Sequence, residues 1–471
     1  MTKSPPWLEG RPDVTGLGSF RTQHGTVENF ECAFFLPPSE TAKIWVLVRA
    51  RARGDSPVVM DWKFSCDLAV GNDVLTAEEI FHSGYISWDW GEGAEDTLAW
   101  DITRLIVCRG DARGSQMLRA RFVITPSALL RSADFLTEQN GEIVSGKIVR
   151  PGPVCRAAPW MTFRFSSAYR RSAAGPVESN VECELIEPGA MGNPKRVLSS
   201  LEDVLILASL AERRVLVLTG WYVEYGNGAT VTSYRRDFAL PSDEKTDVDQ
   251  TLISLRSIEE FLNQGIEKLS GLPQPGALKQ AIQFALHGQA RGIGDSFVML
   301  FAGIETLLNL FASDQDLEPI VPKKQWEPLF EKMSAALAGQ QDFLALTNEI
   351  RTELLSNVRD ANRAFFSDRF RRMCSSQKMD LADLWPMLGG QGSLYAVRNR
   401  IVHGRVFSTD QEWFRVISAK HHLLWTLERS ILCILGWPID QSRVSAQALR
   451  GITLYSGWRE DRDYFVAAKY R

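Results

Sequence analysis

Two hydrophobic periods divide the chain. From about Phe20 to Arg170, apolar residues come in short runs: Val27–Leu36, Lys43–Ala50, Val58–Leu68, Ala99–Val107, Leu118–Thr125 and Trp160–Ser166. In Asp61–Leu68 every second residue is apolar, the alternation of a strand with one face on a core. Stretches containing Gly, Pro, Asp and Asn separate the runs. Regularly spaced short strands predict a sandwich or barrel-like domain. Ser127–Leu136 reads as a brief helix within it.

Ser199 and Glu202 form a capping-box pair at the head of a helix carrying the apolar residues of Leu201–Leu210. Strands follow at Val215–Glu224 and Thr230–Phe238, around the turn Gly226-Asn227-Gly228. The β-rich part, residues 1–240, is thus expected to end near Leu240. Residues 241–274 then supply a polar linker and a helix over Leu252–Leu269.

From Pro275 the period becomes helical. Ala277–Gln289, a helix opening at Asp295, Trp326–Leu337, Phe343–Asn357 and Asp360–Met373 follow in turn. Phe297, Leu300, Phe301, Ile304, Leu307, Leu308 and Phe311 make a wide apolar stripe on the second of these. Thr409 and Glu412 form a second capping box, opening a long helix that Gly436 and Pro438 end. The expected fold class is therefore α+β and multidomain, with a β-rich half followed by an all-α domain over residues 275–440. A tail, residues 441–471, carries a candidate strand at Gly451–Trp458.

Composition narrows the function classes. A length of 471 residues suggests two or three domains, and a net charge of −4 gives no global basic field for nucleic acid. Any such contact must be local. Seven cysteines lie scattered, without Cys-x-x-Cys pairs, so neither a zinc site nor a disulfide framework is expected, and no cofactor either. The first residues lack an apolar signal core, and no apolar run approaches about 20 residues. A cytoplasmic protein without a membrane span is the expectation.

Several polar or aromatic groups invite a role. Tyr85–Gly93 is rich in Trp and Asp and could stack on sugars or bases, although core packing is the usual fate of such rings. Arg359, Arg363, Arg369, Arg371 and Arg372 form a basic cluster, which reads either as a solvated face or as an RNA contact. His421 and His422, being adjacent, face different directions and are expected at a surface or interface.

The stretch with the most chemistry is Leu394–Arg405. Leu394, Val397, Ile401 and Val402 recur at helical spacing, and Gly404 stands where a helix would stop. Asn399 and His403, four apart, share a face; Arg398 and His403, five apart, point roughly 140° away from each other. Imidazole can move a proton near neutral pH, and guanidinium can hold a phosphate through two parallel hydrogen bonds.

Arg398-Asn399-x-x-x-His403 resembles the Arg-x(4–6)-His signature of HEPN domains, in its common Arg-Asn-x-x-x-His form. These are small helical domains that usually dimerise, and many are metal-independent ribonucleases. A β-rich N-terminal half ahead of such a helical bundle is similar to ApeA-type proteins of bacterial phage defence. The resemblance implies RNA as substrate, a homodimer, a phage-derived trigger and a β half acting as sensor. Glu305 matches an acidic residue often found in the first long helix of such domains. His403 would be general base or acid, Arg398 the phosphate clamp and Asn399 the orienting group, with Arg400 and Arg405 as weaker RNA contacts. The alternative is a non-catalytic bundle serving dimerisation or partner binding, with a ligand-binding β domain.

Overall fold

The computed structural model describes residues 14–22, 25–35, 44–50, 65–70, 73–85, 96–139, 142–159, 161–171, 177–186, 194–235, 250–289, 292–310, 323–339, 366–403 and 409–467. The chain divides into two units: Met1–Thr251 with Leu255–Asn263, and Leu252–Ser254 with Gln264–Arg471. The described part of the first unit is dominated by antiparallel sheet, and that of the second by helix. This is an α+β, two-part architecture. The expected boundary near Leu240 and the polar linker fall outside the described residues, as does the predicted helix over Phe343–Asn357.

In the first unit β1 (Val14–Thr22), β2 (Gly25–Phe35), β3 (Ile44–Ala50), β4 (Ser65–Val70), β5 (Asp73–Tyr85) and β6 (Asp96–Arg109) pair in a ring. The order runs β6-β3-β2-β1-β4-β5 and returns to β6. The length of β6 makes this possible. One edge pairs with β5 over Leu98–Cys108; the other pairs first with β3 and then, over Arg104–Arg109, with β14 (Thr230–Arg235). The sandwich-or-barrel expectation thus resolves into a closed ring that shares one strand with an open sheet. Closure satisfies the backbone groups that a free edge would expose. Leu75 and Ala77 on β5, and Leu105 and Val107 on β6, are buried at alternate positions.

The open sheet continues from β14 through β13 (Leu218–Tyr225), β7 (Met117–Ile124), β12 (Val177–Ile186) and β11 (Met161–Arg171) to β10 (Val154–Ala158). A separate hairpin joins β8 (Ala133–Gln139) to β9 (Glu142–Arg150). Helix α1 (Pro194–Glu212) packs against β10, burying Val197, Leu201, Val204 and Leu205. It starts at Pro194, a residue whose fixed φ suits a first helical position, so the capping-box pair at Ser199 lies inside the helix instead of heading it.

Ser127–Leu136 is not a helix. Residues 128–130 form a turn and β8 follows. The turn is held from a distance in sequence: buried Glu212 at the end of α1 accepts hydrogen bonds from the Ser127 hydroxyl, Ala128 N (3.1 Å) and Leu129 N (3.4 Å). Those bonds anchor the turn to the end of α1.

Helix α2 (Ile258–Gly271) contributes to both units, beginning six residues later than the periodicity predicts. Ahead of it, Ile253 forms an isolated bridge with Ser442, and Arg443 N donates to Leu252 O (2.9 Å). The second unit then holds α3 (Pro275–Gln289), α4 (Ile293–Leu310), α5 (Lys323–Gly339), α6 (Phe366–Ser376), α7 (Leu394–Val402) and α8 (Asp410–Ile434). Helices α9 (Ala446–Leu449), α10 (Thr453–Ser456) and α11 (Trp458–Ala467) complete it. The candidate strand at Gly451–Trp458 is therefore helical, and the C-terminal residues pack on α8 within the same unit.

Helix α4 buries Phe297, Leu300, Phe301, Ile304, Leu307 and Leu308 against α3, α7 and α8. Among the described residues it is the one helix long and apolar enough to cross a membrane, and half of it is buried inside the unit, as a core helix would be. Gly303 permits the close approach: a Cβ there would lie 2.7 Å from Leu427 Cδ2 and 3.2 Å from Phe284 Cβ. Helix α8 starts as its sequence predicts, the Thr409 side chain accepting from Glu412 N at 3.2 Å. It ends on Gly436 in the left-handed region, at φ 70°.

Candidate functional site

Helix α7 is held at its start and open at its end. Ser393 caps it by accepting from Ala396 N (3.2 Å), while Leu394 N and Tyr395 N donate to the carbonyls of Pro386 and Met387 (3.0 and 3.1 Å). Three of the otherwise unpaired first-turn donors are thereby satisfied. Leu394 and Val397 are fully buried and Ile401 is half-buried. Val402 is 46% exposed, so the apolar stripe is narrower than its spacing suggests. Helical hydrogen bonding closes with His403 N donating to Asn399 O (3.0 Å), which leaves the His403 side chain exposed at the C-terminal cap.

Arg398 and Asn399 are half-buried and joined, Arg398 Nη1 donating to Asn399 Oδ1 at 3.1 Å. The Arg398 guanidinium lies over the Phe301 ring, 5.9 Å from its centroid, and its buried Nε has no hydrogen-bond partner among the described residues. No carboxylate pairs with it among those residues. Arg400 is placed differently: Nη2 donates to Phe465 O on α11 (2.8 Å), and the guanidinium lies 5.6 Å from the Phe465 ring. That arrangement ties α7 to the C-terminal helix. Arg405 and Gly404 lie outside the described residues. Glu305 is exposed on α4. Of the basic cluster, Arg369 donates to Asn309 Oδ1 (2.6 Å), and exposed Arg371 pairs with Asp368 (3.4 Å); Arg359 and Arg363 lie outside the described residues. Tyr85 ends β5, and the rest of the Tyr85–Gly93 stretch is not described either.

Sequence reasoning passed over the aromatic floor of this site. Phe366 stacks on Tyr395 (5.2 Å between centroids, 23° between planes) and on Phe370 (6.0 Å, 13°), and Phe301 touches both Phe366 and Tyr395 (5.6 and 6.0 Å). Three helices meet here. The available signal was Tyr395 standing three residues before Arg398, one turn away on the same face.

A second polar cluster, on α8, was also missed, and it corrects the expectation for His422. That ring is fully buried. Its Nδ1 accepts from Trp385 N (3.1 Å) and its Nε2 lies 3.1 Å from Leu454 O, which fixes the neutral ring with the proton on Nε2. Burial pushes its pKa down to about 4. Two turns further along α8, the Arg429 side chain is 3% exposed and grips Asp383 through two bonds (2.6 and 2.7 Å) while donating to Val444 O (2.7 Å). Burial raises the Asp383 pKa, but the hydrogen bonds from Arg429 and Tyr455 outweigh it and hold the carboxyl below its usual range. Tyr455 is pushed up to about 12 by burial and by Asp383. Among the described residues no group of three or more His, Cys, Asp or Glu is placed to hold a metal ion. Comparison of the chain with family models, curated proteins and solved structures gives no match.

Proposed function

We propose that this protein is an endoribonuclease of the HEPN type, resembling ApeA, that acts in the bacterial cytoplasm in anti-phage defence by abortive infection. RNA carries its own nucleophile. In the proposed reaction the 2′-oxygen attacks the adjacent phosphorus, the bond to the 5′-oxygen breaks, and a 2′,3′-cyclic phosphate and a 5′-hydroxyl result. His403 removes the proton from the 2′-hydroxyl or returns one to the leaving oxygen. In a two-fold dimer two such imidazoles would share one cleft, so one could take a proton while the other gives one. Arg398 stabilises the charge that builds on the phosphoryl oxygens, and Asn399 holds Arg398 in place. The β-rich unit would sense a phage-derived trigger.

The observation that carries this reading is the end of α7: an exposed imidazole one turn from an Arg–Asn pair that no described carboxylate neutralises. The test is incubation of the purified protein with total RNA in EDTA, with the new ends mapped. Wild type is expected to leave cyclic phosphates, and His403→Ala none. Cleavage by His403→Ala at the wild-type rate, or arrest of wild type by EDTA, would overturn this mechanism, and RNA left intact by wild type would favour the non-catalytic bundle instead.

A further inference from the structure

We infer that Tyr395 is a stacking platform for one unpaired nucleobase, so that the substrate class is single-stranded RNA held by a base beside the reacting phosphate. This rests on the ribonuclease reading and adds a specificity-determining residue to it.

Tyr395 is 37% exposed on a helix otherwise anchored by buried Leu394 and Val397, so part of its ring is open to a ligand. Tyr395 is also held rigid. Phe366 lies against it nearly parallel, at 5.2 Å and 23°, and Phe301 tilts against it at 6.0 Å. Phe370 backs Phe366 in turn, at 6.0 Å and 13°. A pre-ordered aromatic surface costs little conformational entropy when a ligand binds, which is the requirement for a base platform. Phe301 also lies beneath the Arg398 guanidinium, so the ring and the clamp share one floor. Three residues apart on a helix, their Cβ atoms are about 5–6 Å apart. Neighbouring base and phosphate groups of one strand fit that spacing. Paired bases keep both faces covered within a duplex, so the platform selects unpaired ones.

The experiment uses the full chain and a short single-stranded oligoribonucleotide, O-methylated at every 2′ position so that the proposed route cannot cleave it, and carrying one fluorescent purine analogue. Wild type is expected to bind it and quench the analogue through stacking. Tyr395→Leu should weaken binding about 5- to 150-fold and abolish the quenching, while Tyr395→Phe, which keeps the ring, should bind as wild type. The same sequence as a duplex should bind more weakly to wild type and be indifferent to Tyr395→Leu. Equal binding by wild type and Tyr395→Leu, unquenched binding, or no binding at all would overturn the inference. Because cleavage plays no part in the readout, a protein that binds through Tyr395 but leaves natural RNA intact would support the platform while removing the nuclease reading. Circular dichroism of each variant confirms that it is folded.

Discussion

His403 and His422 stand on consecutive helices of one unit and share nothing but their side chain. His422 is fully buried, with each ring nitrogen matched to a backbone group and rings of Trp385, Trp425, Tyr455 and Trp458 around it. His403 is exposed at a helix end. The two arginines repeat the contrast. Arg429 is enclosed by Asp383, Val444 O and Asp380 O, whereas Arg398, among the described residues, donates to one neutral amide and rests on a ring. Saturated partners mark a group that holds the fold together. Remaining donor capacity at a half-buried guanidinium, beside an exposed imidazole, marks a group available to a ligand.

The largest effect should fall on chemistry at the open site. His403→Ala or Arg398→Ala is expected to lower RNA cleavage by about 10²–10⁴-fold, and exposed His403→Ala to change stability by less than about 0.5 kcal/mol. Asn399→Ala should cost less, because it orients the clamp without moving a proton or carrying charge. Kinetics on one RNA together with denaturant unfolding would check the set; a large loss of stability in His403→Ala would erase the contrast with His422.

Arg429→Met should do the reverse. It leaves the half-buried Asp383 carboxylate and two carbonyls without their donor, at a cost of about 3–5 kcal/mol in unfolding free energy. The lower end is expected, since the Asp383 side chain is 25% exposed. The cleavage rate per folded molecule should stay unchanged. Equilibrium denaturation with activity scored in parallel measures both quantities.

Acid sharpens the comparison further. With its pKa near 4 in the fold and an ordinary value of 6.5, His422 takes up a proton on unfolding anywhere between those limits. The stability it contributes is complete above about pH 6.5 and falls as the pH drops towards 4, by roughly 3 kcal/mol across the window. In His422→Gln this part of the acid dependence should vanish. Unfolding curves for wild type and variant that run parallel between pH 7 and pH 4 would contradict the burial argument.

The smallest effect expected is at the start of α8. Thr409→Ala removes the hydrogen bond to Glu412 N and should cost about 1 kcal/mol, read from the same denaturation experiment.

Much of the secondary structure was legible because it depends on neighbours in sequence. The stripe on α4 from Phe297 to Leu308, the Thr409 cap and the Gly436 stop are all local patterns, and each lies where its pattern predicts; residues 61–64 of the alternating stretch Asp61–Leu68, and Phe311 of the stripe, lie outside the described residues. The signature residues on α7 were legible for the same reason: a helix brings residues three and four apart onto one face whatever surrounds it. What tertiary structure alone decided depends on partners far along the chain. Ring closure together with the junction to the open sheet required β6 to be long enough to serve three strands. Glu212, 84 residues from Ala128, accepts from the turn that stands where a helix was expected. Leu454, 32 residues from His422, and Phe465, 65 from Arg400, drew into the core and onto the C-terminal helix two residues whose local setting suggested a surface. The aromatic floor under Arg398 comes from three separate helices. Backbone periodicity is a short-range property, whereas burial of a polar group is decided by whether a distant donor or acceptor arrives to satisfy it.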